Sequence, residues 1–196
     1  MNFYQISYND HTLFHILRHF ECTNYDARIC LKDRGYTDDE ILENLEMPGS
    51  KFNTSFATDI KTLMSQLELG KIIQIQERKK YQEILIGFNN RHFPDGIGTL
   101  GVCNRNELSA LNATIPILKL NRGMQLWHAV VAQIPITHQL TIVIKKQSNA
   151  HFLITAFPGL PALPLPQMKM KPLELELSKL YWKDKVFLEK HKEVNN

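Results

Sequence analysis

The apolar positions change their period along the chain, from a helical period near the start to a strand period later. Apolar residues recur every three or four positions in Asp10–Phe20, and Thr37 with Glu40 forms a capping-box pattern that opens a further helix. From Lys71 onward, short runs rich in β-branched residues alternate with turn residues, as in His151–Phe157. Leading helices followed by a mainly antiparallel sheet predict the α+β class.

Further elements are predicted where apolar spacing coincides with capping or turn residues. The predicted helices also cover Asn24–Leu31, Thr37–Glu46 and Asp59–Leu69. The predicted strands cover Lys71–Glu77, Tyr81–Phe88, Gly98–Cys103, Trp127–Ile134, Leu140–Lys146 and His151–Phe157.

A proline-rich run, P-G-L-P-A-L-P-L-P, begins at Pro158 and favours an extended linker over helix or strand. We therefore predict one domain over residues 1–160, with residues 161–196 forming a linker, an amphipathic helix and a charged tail. The apolar residues expected to pack that helix on the domain are Leu173, Leu177, Leu180, Val186 and Phe187.

Composition narrows the class of protein without naming a function. The chain has 196 residues, is 43% hydrophobic and carries a net charge of +3, which only weakly favours a nucleic-acid partner. Three cysteines suggest no disulfide framework. The N-terminus lacks the pattern of a signal peptide, and we expect no membrane span because no stretch of eighteen apolar residues occurs.

Three histidines, His11, His15 and His19, recur every four residues in the first predicted helix, which places them on one face. Arg18 borders the same stripe. Imidazoles exchange protons near pH 7, and a guanidinium binds phosphate through two parallel hydrogen bonds. Together these groups could supply the base, the acid and the cation that RNA cleavage requires.

Two other interpretations of the stripe stay open. The histidines could be ordinary surface or core residues. Alternatively, histidines four residues apart could share a zinc ion, but the glutamate of an H-E-x-x-H motif is missing here. We therefore predict neither a metal nor another cofactor.

The strand over His151–Phe157 is the second candidate segment. Its alternation predicts Phe152, Ile154 and Ala156 on one face and the other four residues, including Thr155, on the opposite one. A hydroxyl at Thr155 could donate to a phosphate oxygen, although threonine is also common in strands. Lys145, in the preceding strand, could contact phosphate as well.

The order of these motifs resembles the RNase A-like toxin domain of bacterial contact-dependent growth inhibition proteins (the CdiA C-terminal type). The matching segments are H-T-L-F-H-I-L-R-H at 11–19, T-D-D-E-I-L-E-N-L at 37–45, S-K-F-N-T-S-F at 50–56, D-G-I-G-T-L-G at 95–101 and I-T-A-F-P at 154–158. The resemblance spans about residues 10 to 158.

This resemblance implies an RNase A-like fold without disulfides and a metal-independent endoribonuclease that leaves a 2′,3′-cyclic phosphate. It also implies an RNA substrate such as tRNA, a cognate immunity protein as partner, and action in the cytoplasm of a target cell after delivery as part of a larger toxin. Barnase- or RelE-like ribonucleases, and a catalytically inactive RNA-binding or protein-interaction domain, are the alternatives.

The resemblance also assigns residues. The family's catalytic histidine matches His19, or His15 if the spacing slips, and its threonine matches Thr155. The family's tyrosine is Phe157 here, and its arginine falls on Asn44, so we select Arg28 as the candidate catalytic arginine, with Arg18 second. The residues expected to bind substrate are Arg18, Phe157, His151 and Lys145.

Overall fold

The structure is a computed structural model, and it describes residues 6–20, 25–46, 49–114, 116–121, 124–147, 150–166 and 170–190. The predicted charged tail after residue 190, the tip of the predicted hairpin at 148–149, Cys22, and the side chains of His11 and Cys30 lie outside the described part. Seven of the nine strand pairings in the described residues are antiparallel, which confirms the predicted α+β class.

Most predicted helices and strands are present, but the strand predicted over Gly98–Cys103 is divided between two sheets. The strands over Ile117–Asn121 and Lys185–Lys190 have no counterpart in the prediction. The helices are α1 (Asp10–Leu17), α2 (Tyr25–Asp33), α3 (Asp38–Glu46), α4 (Ile60–Gln66) and α5 (Pro172–Trp182), with short 3₁₀ helices over Leu67–Leu69 and Arg105–Leu111. The strands are β1 (Ile6–Ser7), β2 (Lys51–Phe52), β3 (Lys71–Glu77), β4 (Gln82–Gly87), β5 (Gly98–Thr99), β6 (Val102–Asn104), β7 (Ile117–Asn121), β8 (Met124–Val131), β9 (Ile136–Thr137), β10 (Gln139–Gln147), β11 (Ala150–Pro158) and β12 (Lys185–Lys190).

The chain divides into two compact units, and the division differs from the predicted boundary at residue 160. The N-terminal unit comprises residues 1–99 and 136–161, and the C-terminal unit comprises residues 100–135 and 162–196. The reason is strand pairing, because β12 pairs with both β6 and β8. The segment from 100 to 135 therefore builds its sheet with the end of the chain.

In the N-terminal unit, a five-stranded sheet with the order β1-β11-β10-β4-β3 lies beside a small three-stranded sheet, β2-β5-β9. One face of the larger sheet, including Ile84, Ile142 and Ala156, forms the main core with Ile16 of α1 and Leu63 of α4. A smaller core joins α1, α2 and α3 through Leu17, Leu31 and Ile41. This double packing fixes α1 against both the sheet and its neighbouring helices.

Helix α1 begins at Asp10 as predicted but ends three residues earlier than predicted. Asn9 is the N-cap, since its side chain accepts a hydrogen bond from the Thr12 amide at 3.0 Å. The helix ends at Leu17, and the chain continues in a tight turn in which the His19 amide donates to the Ile16 carbonyl at 2.9 Å. The capping box predicted for α3 is confirmed. The Glu40 amide donates to Thr37 Oγ1 at 3.2 Å, and Glu40 Oε2 accepts from the Thr37 amide at 2.9 Å.

A β-bulge interrupts β11 and changes its predicted faces. Val143 pairs with Thr155 while Ile144 pairs with Leu153, so Ile154 is the extra residue. Leu153 and Ala156 consequently both enter the core, although uninterrupted alternation would place them on opposite faces. Thr155 and Phe157 flank Ala156 in the strand. Because successive strand residues point to opposite faces, both lie on the face opposite the core.

The C-terminal unit contains a four-stranded sheet with the order β6-β12-β8-β7. A helix forms in its final part as predicted, but Leu173, Leu177 and Leu180 are 72%, 51% and 68% exposed instead of packed. Val186 and Phe187 are buried in β12 because the helix ends at Trp182. Among the described helices, none is both long enough and apolar enough to span a bilayer.

Candidate active site

Helix α1 and strand β11 run side by side in the same direction. Thr12, early in the helix, donates from Oγ1 to the Leu153 carbonyl at 2.5 Å. After the helix, the ring of His19 lies 5.8 Å from the ring of Phe157, measured between centroids. The middle of the helix, where His15 lies, is therefore level with the middle of this strand segment, where Thr155 lies.

The two ring nitrogens of His19 have different partners. Nδ1 lies 2.8 Å from the carbonyl oxygen of Ser50, and Nε2 lies 3.2 Å from Nε of Arg18. A carbonyl oxygen can only accept a hydrogen bond, and a guanidinium nitrogen can only donate one. The proton must therefore be on Nδ1, and Nε2 must carry a lone pair. Both contacts together select the neutral imidazole in a single tautomer.

The electrostatic surroundings of His19 favour the same state. Its side chain is only 4% exposed, and this burial, followed by the positive charge of Arg18, lowers the pKa well below the ordinary histidine value. Lys51 and His15 lower the pKa further, while the hydrogen bond to Ser50 acts in the opposite direction. His19 is therefore neutral at pH 7, as a general base must be.

A short extended segment holds the Ser50 carbonyl in place. The amide of Phe52 donates to the His19 carbonyl at 2.6 Å, and Lys51 Nζ donates to the Arg18 carbonyl at the end of α1. Gly98 pairs with Phe52, and a Cβ atom on Gly98 would clash with the Lys51 carbonyl and the ring of Pro158. Only glycine permits this close approach, which ties the segment to the end of β11.

Two of the predicted phosphate-binding groups are buried without a hydrogen-bond partner. Thr155 Oγ1 and Arg28 Nε are fully covered atoms, and neither contacts a donor or acceptor in the described structure. Leaving such a group unsatisfied costs about 1–3 kcal/mol, so each is suited to a bound oxygen. Arg28 precedes Leu31 by three residues and shares the face of α2 that packs on α1.

The structure brings four of the eight predicted site residues together, namely His15, Arg18, His19 and Phe157. His15 is half-buried and close enough to lower the pKa of His19, and Arg18 contacts His19 directly. Phe157 lies beside His19, and Thr155 precedes Phe157 by two residues on the same face of β11. Of the predicted phosphate ligands, Arg28 is the one whose position rests on helix packing alone.

His151 and Lys145 lie elsewhere. His151 pairs with Ile6 and Lys146, and Lys145 pairs with Phe152, near the tip of the hairpin. At about 3.3 Å per residue, His151 is roughly 20 Å along β11 from Phe157. The structure therefore does not bring these two predicted substrate-binding residues to His19.

Sequence reasoning missed the role of Ser50 and Lys51. Ser50 acts through its carbonyl oxygen, which every residue possesses, so the sequence contains no signal for it. The sequence analysis also did not predict the hydrogen-bond partners of His128 in the C-terminal unit. His128 Nδ1 lies 2.5 Å from Glu189 Oε1, and Lys119 Nζ lies 2.6 Å from Glu189 Oε2.

Comparison with known proteins adds no family to this geometry. Scans against protein-family models, curated protein sequences and solved structures returned no match. Within the described ranges, no cluster of three or more histidine, cysteine, aspartate or glutamate side chains is arranged to hold a metal ion. The resemblance to the toxin family accordingly stays a prediction.

Proposed function

We propose that the N-terminal unit is an endoribonuclease that cleaves RNA through its own 2′-hydroxyl, without a metal ion. The observation that carries the proposal is His19, a buried neutral imidazole in one tautomer, placed beside a strand that bears the unsatisfied hydroxyl of Thr155. A general base, a covered hydrogen-bond donor and nearby cations are the components that this reaction requires.

In the proposed reaction, His19 Nε2 takes the proton of the 2′-hydroxyl while the 2′-oxygen attacks the adjacent phosphorus. The bond from phosphorus to the 5′-oxygen breaks, and His15 as imidazolium gives its proton to that oxygen. The products are a 2′,3′-cyclic phosphate and a 5′-hydroxyl. Thr155 Oγ1 and the Arg28 guanidinium stabilise the negative charge that develops on the phosphoryl oxygens.

The wider proposal follows the resemblance described above. The N-terminal unit would have an RNase A-like fold without disulfides, and the chain would act as a toxin on RNA, including tRNA, in the cytoplasm of a target cell. A cognate immunity protein would be its protein partner. The free buried thiol of Cys103, in the C-terminal unit, is compatible with a chain that folds without disulfides.

A catalytically inactive RNA-binding domain is the second candidate, and two observations favour it. Arg18 already occupies the lone pair of His19 Nε2 at 3.2 Å, so the base is closed in this arrangement. The missing hydroxyl at Phe157 points the same way. Such a domain would bind RNA through the same cations without cleaving it.

The deciding experiment is RNA cleavage by the purified chain in the presence of EDTA. We expect a labelled RNA to be cut to fragments that end in a 2′,3′-cyclic phosphate, and a 2′-O-methyl RNA and a DNA of the same sequence to stay intact. His19→Ala, purified identically, controls for contaminating nucleases.

Each alternative gives a different result. Cleavage that stops in EDTA and returns with zinc would overturn the metal-independent mechanism. Binding of RNA with no cleavage under any condition would favour the inactive RNA-binding domain. Equal cleavage of DNA would exclude a 2′-hydroxyl nucleophile.

A further inference from the structure

The contact between Arg18 and His19 has one consequence that favours proton transfer by His19 and one that prevents it. Arg18 keeps His19 neutral, because its positive charge opposes protonation of the imidazole. It also donates from Nε to the lone pair of Nε2 at 3.2 Å, and that lone pair is the one a general base would use. The Arg18 side chain therefore both keeps His19 in the neutral state that a base requires and occupies the lone pair that would accept the proton.

We propose that Arg18 is a positioning residue that caps His19 at rest and that a phosphodiester anion draws the guanidinium away from Nε2. The lone pair is then free at the moment when a substrate phosphate is bound. This inference rests on the proposed ribonuclease function, and it adds how the site stays closed until substrate arrives.

The chemistry of the two acceptors, an imidazole nitrogen and a phosphodiester oxygen, gives the direction of the exchange between them. Toward His19, Nε of the guanidinium donates to an uncharged nitrogen at 3.2 Å, the long end of the usual N–H to acceptor range. Toward a phosphodiester the guanidinium can make two parallel hydrogen bonds in which the acceptor is ionised as well as the donor. The anion is therefore the better partner.

The main chain around Arg18 is held by contacts that do not involve the Arg18 side chain. The Arg18 carbonyl accepts from Lys51 Nζ, and the His19 carbonyl accepts from the Phe52 amide at 2.6 Å. These bonds fix the main chain on both sides of the Arg18 side chain, which is half-buried. Because Ser50 holds Nδ1 independently, His19 keeps its tautomer when Arg18 leaves.

Two further groups of the proposed site could bind the phosphodiester anion that draws Arg18 away. Thr155 Oγ1 and Arg28 Nε are both buried without a partner in the described structure, so they can take phosphoryl oxygens without giving up existing bonds. A phosphate that contacts these groups would present its remaining oxygens to Arg18. The site would then hold the anion through one hydroxyl and two guanidinium groups.

Three charged or titratable side chains and one carbonyl group act on the pKa of His19. They are Arg18, on the turn after α1, Lys51 in β2 and His15 in α1, together with the Ser50 carbonyl. Removing Arg18 leaves Lys51 and His15 in place. The pKa of His19 in an Arg18 variant should therefore rise toward the ordinary histidine value without reaching it.

The test is nitrogen-15 NMR of the histidine rings, because it reports tautomer, protonation and hydrogen bonding without requiring turnover. The probes are a 2′-deoxy dinucleoside phosphate, which lacks the nucleophile, and inorganic phosphate as a separate arm. The proteins are wild type, Arg18→Gln, Arg18→Lys and, as a matched control, Lys146→Gln, which removes an exposed cation from the distant end of the β10–β11 hairpin.

In wild type we expect saturating dinucleotide to change the Nε2 resonance of His19 while Nδ1 stays protonated. In Arg18→Gln the free protein should already show the changed Nε2 environment and a raised His19 pKa, and the dinucleotide should bind about tenfold or more weakly, the usual effect of losing one hydrogen bond to a charged group. Arg18→Lys should weaken binding less, since it keeps the charge but loses the fork. Lys146→Gln should behave as wild type.

Activity gives a second readout in the same variants. For Arg18→Gln, KM should rise more than kcat falls, and the acid limb of the kcat/KM profile should move to higher pH. An unchanged Nε2 resonance in wild type at saturating dinucleotide would overturn the proposal, as would an unchanged His19 pKa in Arg18→Gln. If the NMR response occurs but no RNA is cleaved, the ribonuclease proposal fails while the exchange of Arg18 stands.

Discussion

Each unit of the chain buries a histidine against a phenylalanine ring, and the two histidines differ in what their nitrogens contact. His19 lies 5.8 Å from Phe157 and is 4% exposed, and His128 lies 5.5 Å from Phe187 and is 5% exposed. Burial and aromatic contact are thus nearly the same. Neither property distinguishes a residue that can do chemistry from one that supports the fold.

The hydrogen bonds do distinguish them. His19 contacts a carbonyl oxygen and a guanidinium, which permit only the neutral ring. His128 contacts the Glu189 carboxylate, which also accepts from Lys119 and thereby links β7, β8 and β12. These contacts of His128 join three strands and, unlike those of His19, include no donor to a ring nitrogen. The lesson is that the partner of each nitrogen, not burial, selects the candidate base.

The largest expected effect separates the two histidines directly. His19→Ala should lower RNA cleavage by about 10²–10⁴-fold, the usual effect of removing a positioned proton-transfer group. His128→Ala should cleave RNA at the wild-type rate but unfold more easily, because Glu189 loses a partner in the sheet. Turnover and thermal unfolding of both variants provide the measurement. If both variants lost cleavage to a similar extent, the loss in His19→Ala would be due to reduced stability and not to a missing catalytic group.

Two buried threonines sharpen the comparison further. Thr155 Oγ1 has no partner in the described structure, whereas Thr141 Oγ1 donates to the Gly159 carbonyl at 2.7 Å. We expect Thr155→Val to lower kcat by about 10–10³-fold, since a lost donor to the transition state commonly costs up to a few kcal/mol. Its free energy of unfolding should not fall, because no hydrogen bond is removed.

Thr141→Val is the matched control and should show the opposite pattern. It loses a satisfied buried hydrogen bond, so its free energy of unfolding should fall by about 1 kcal/mol or more while cleavage persists. Urea denaturation and initial rates on both variants decide the matter. A Thr155→Val variant that is destabilised but fully active would show that this hydroxyl is structural.

Local rules recovered most of the secondary structure from the sequence. The Thr37–Glu40 box, the strands β3 and β4, and the hairpin strands β10 and β11 all depend on residues close together in the chain. The division into two units did not emerge, because it depends on β12 pairing with β8, and no local pattern encodes a partner that distant. The bulge at Ile154 was also missed, since a strand sequence with a bulge alternates like any other until its partner is known.

The features of the candidate site could likewise be predicted only where they depend on residues close together in the chain. The spacing of His15 and His19 and the hydroxyl at Thr155 are properties of the sequence, so they could be predicted. The tautomer of His19 could not be, because it is set by the Ser50 carbonyl, and the closed state of its lone pair is set by the rotamer of Arg18. His151 and Lys145 were selected for residue type, and only strand register shows that they lie at the other end of the hairpin.

The next prediction concerns stability against pH. The folded pKa of His19 is lowered, so the unfolded chain binds a proton that the folded chain does not. Stability from this group is therefore complete above the unfolded pKa, about 6.5, and is lost as pH falls from there toward the folded pKa. The slope should approach about 1.4 kcal/mol per pH unit for one proton.

His19→Asn should remove that slope between pH 7.5 and 5.5 in urea denaturation of otherwise identical proteins. Glu189 provides a control in a separate window. Burial tends to raise its pKa, but the hydrogen bonds from Lys119 and His128 outweigh burial and lower it, so its contribution is lost only below about pH 4.5. Equal slopes for wild type and His19→Asn above pH 5.5 would contradict the assignment of a neutral buried His19.

The smallest expected effect comes from the two phenylalanines that contact the histidines. Phe157→Tyr adds a hydroxyl at the ring next to His19, at the position where the resembling family has tyrosine. If that hydroxyl donates to a phosphoryl oxygen in the transition state, it should contribute about 1 kcal/mol, or roughly a fivefold gain in kcat.

The matched control, Phe187→Tyr, adds the same atom beside His128. There it would be buried against Trp182, whose ring is stacked on Phe187 at 5.4 Å. That variant should lose stability and gain no activity. Initial rates at saturating RNA, normalised to the folded fraction, provide the measurement. A Phe157→Tyr variant that is slower than wild type would indicate that the bare ring, and not a missing hydroxyl, is what this site requires beside His19.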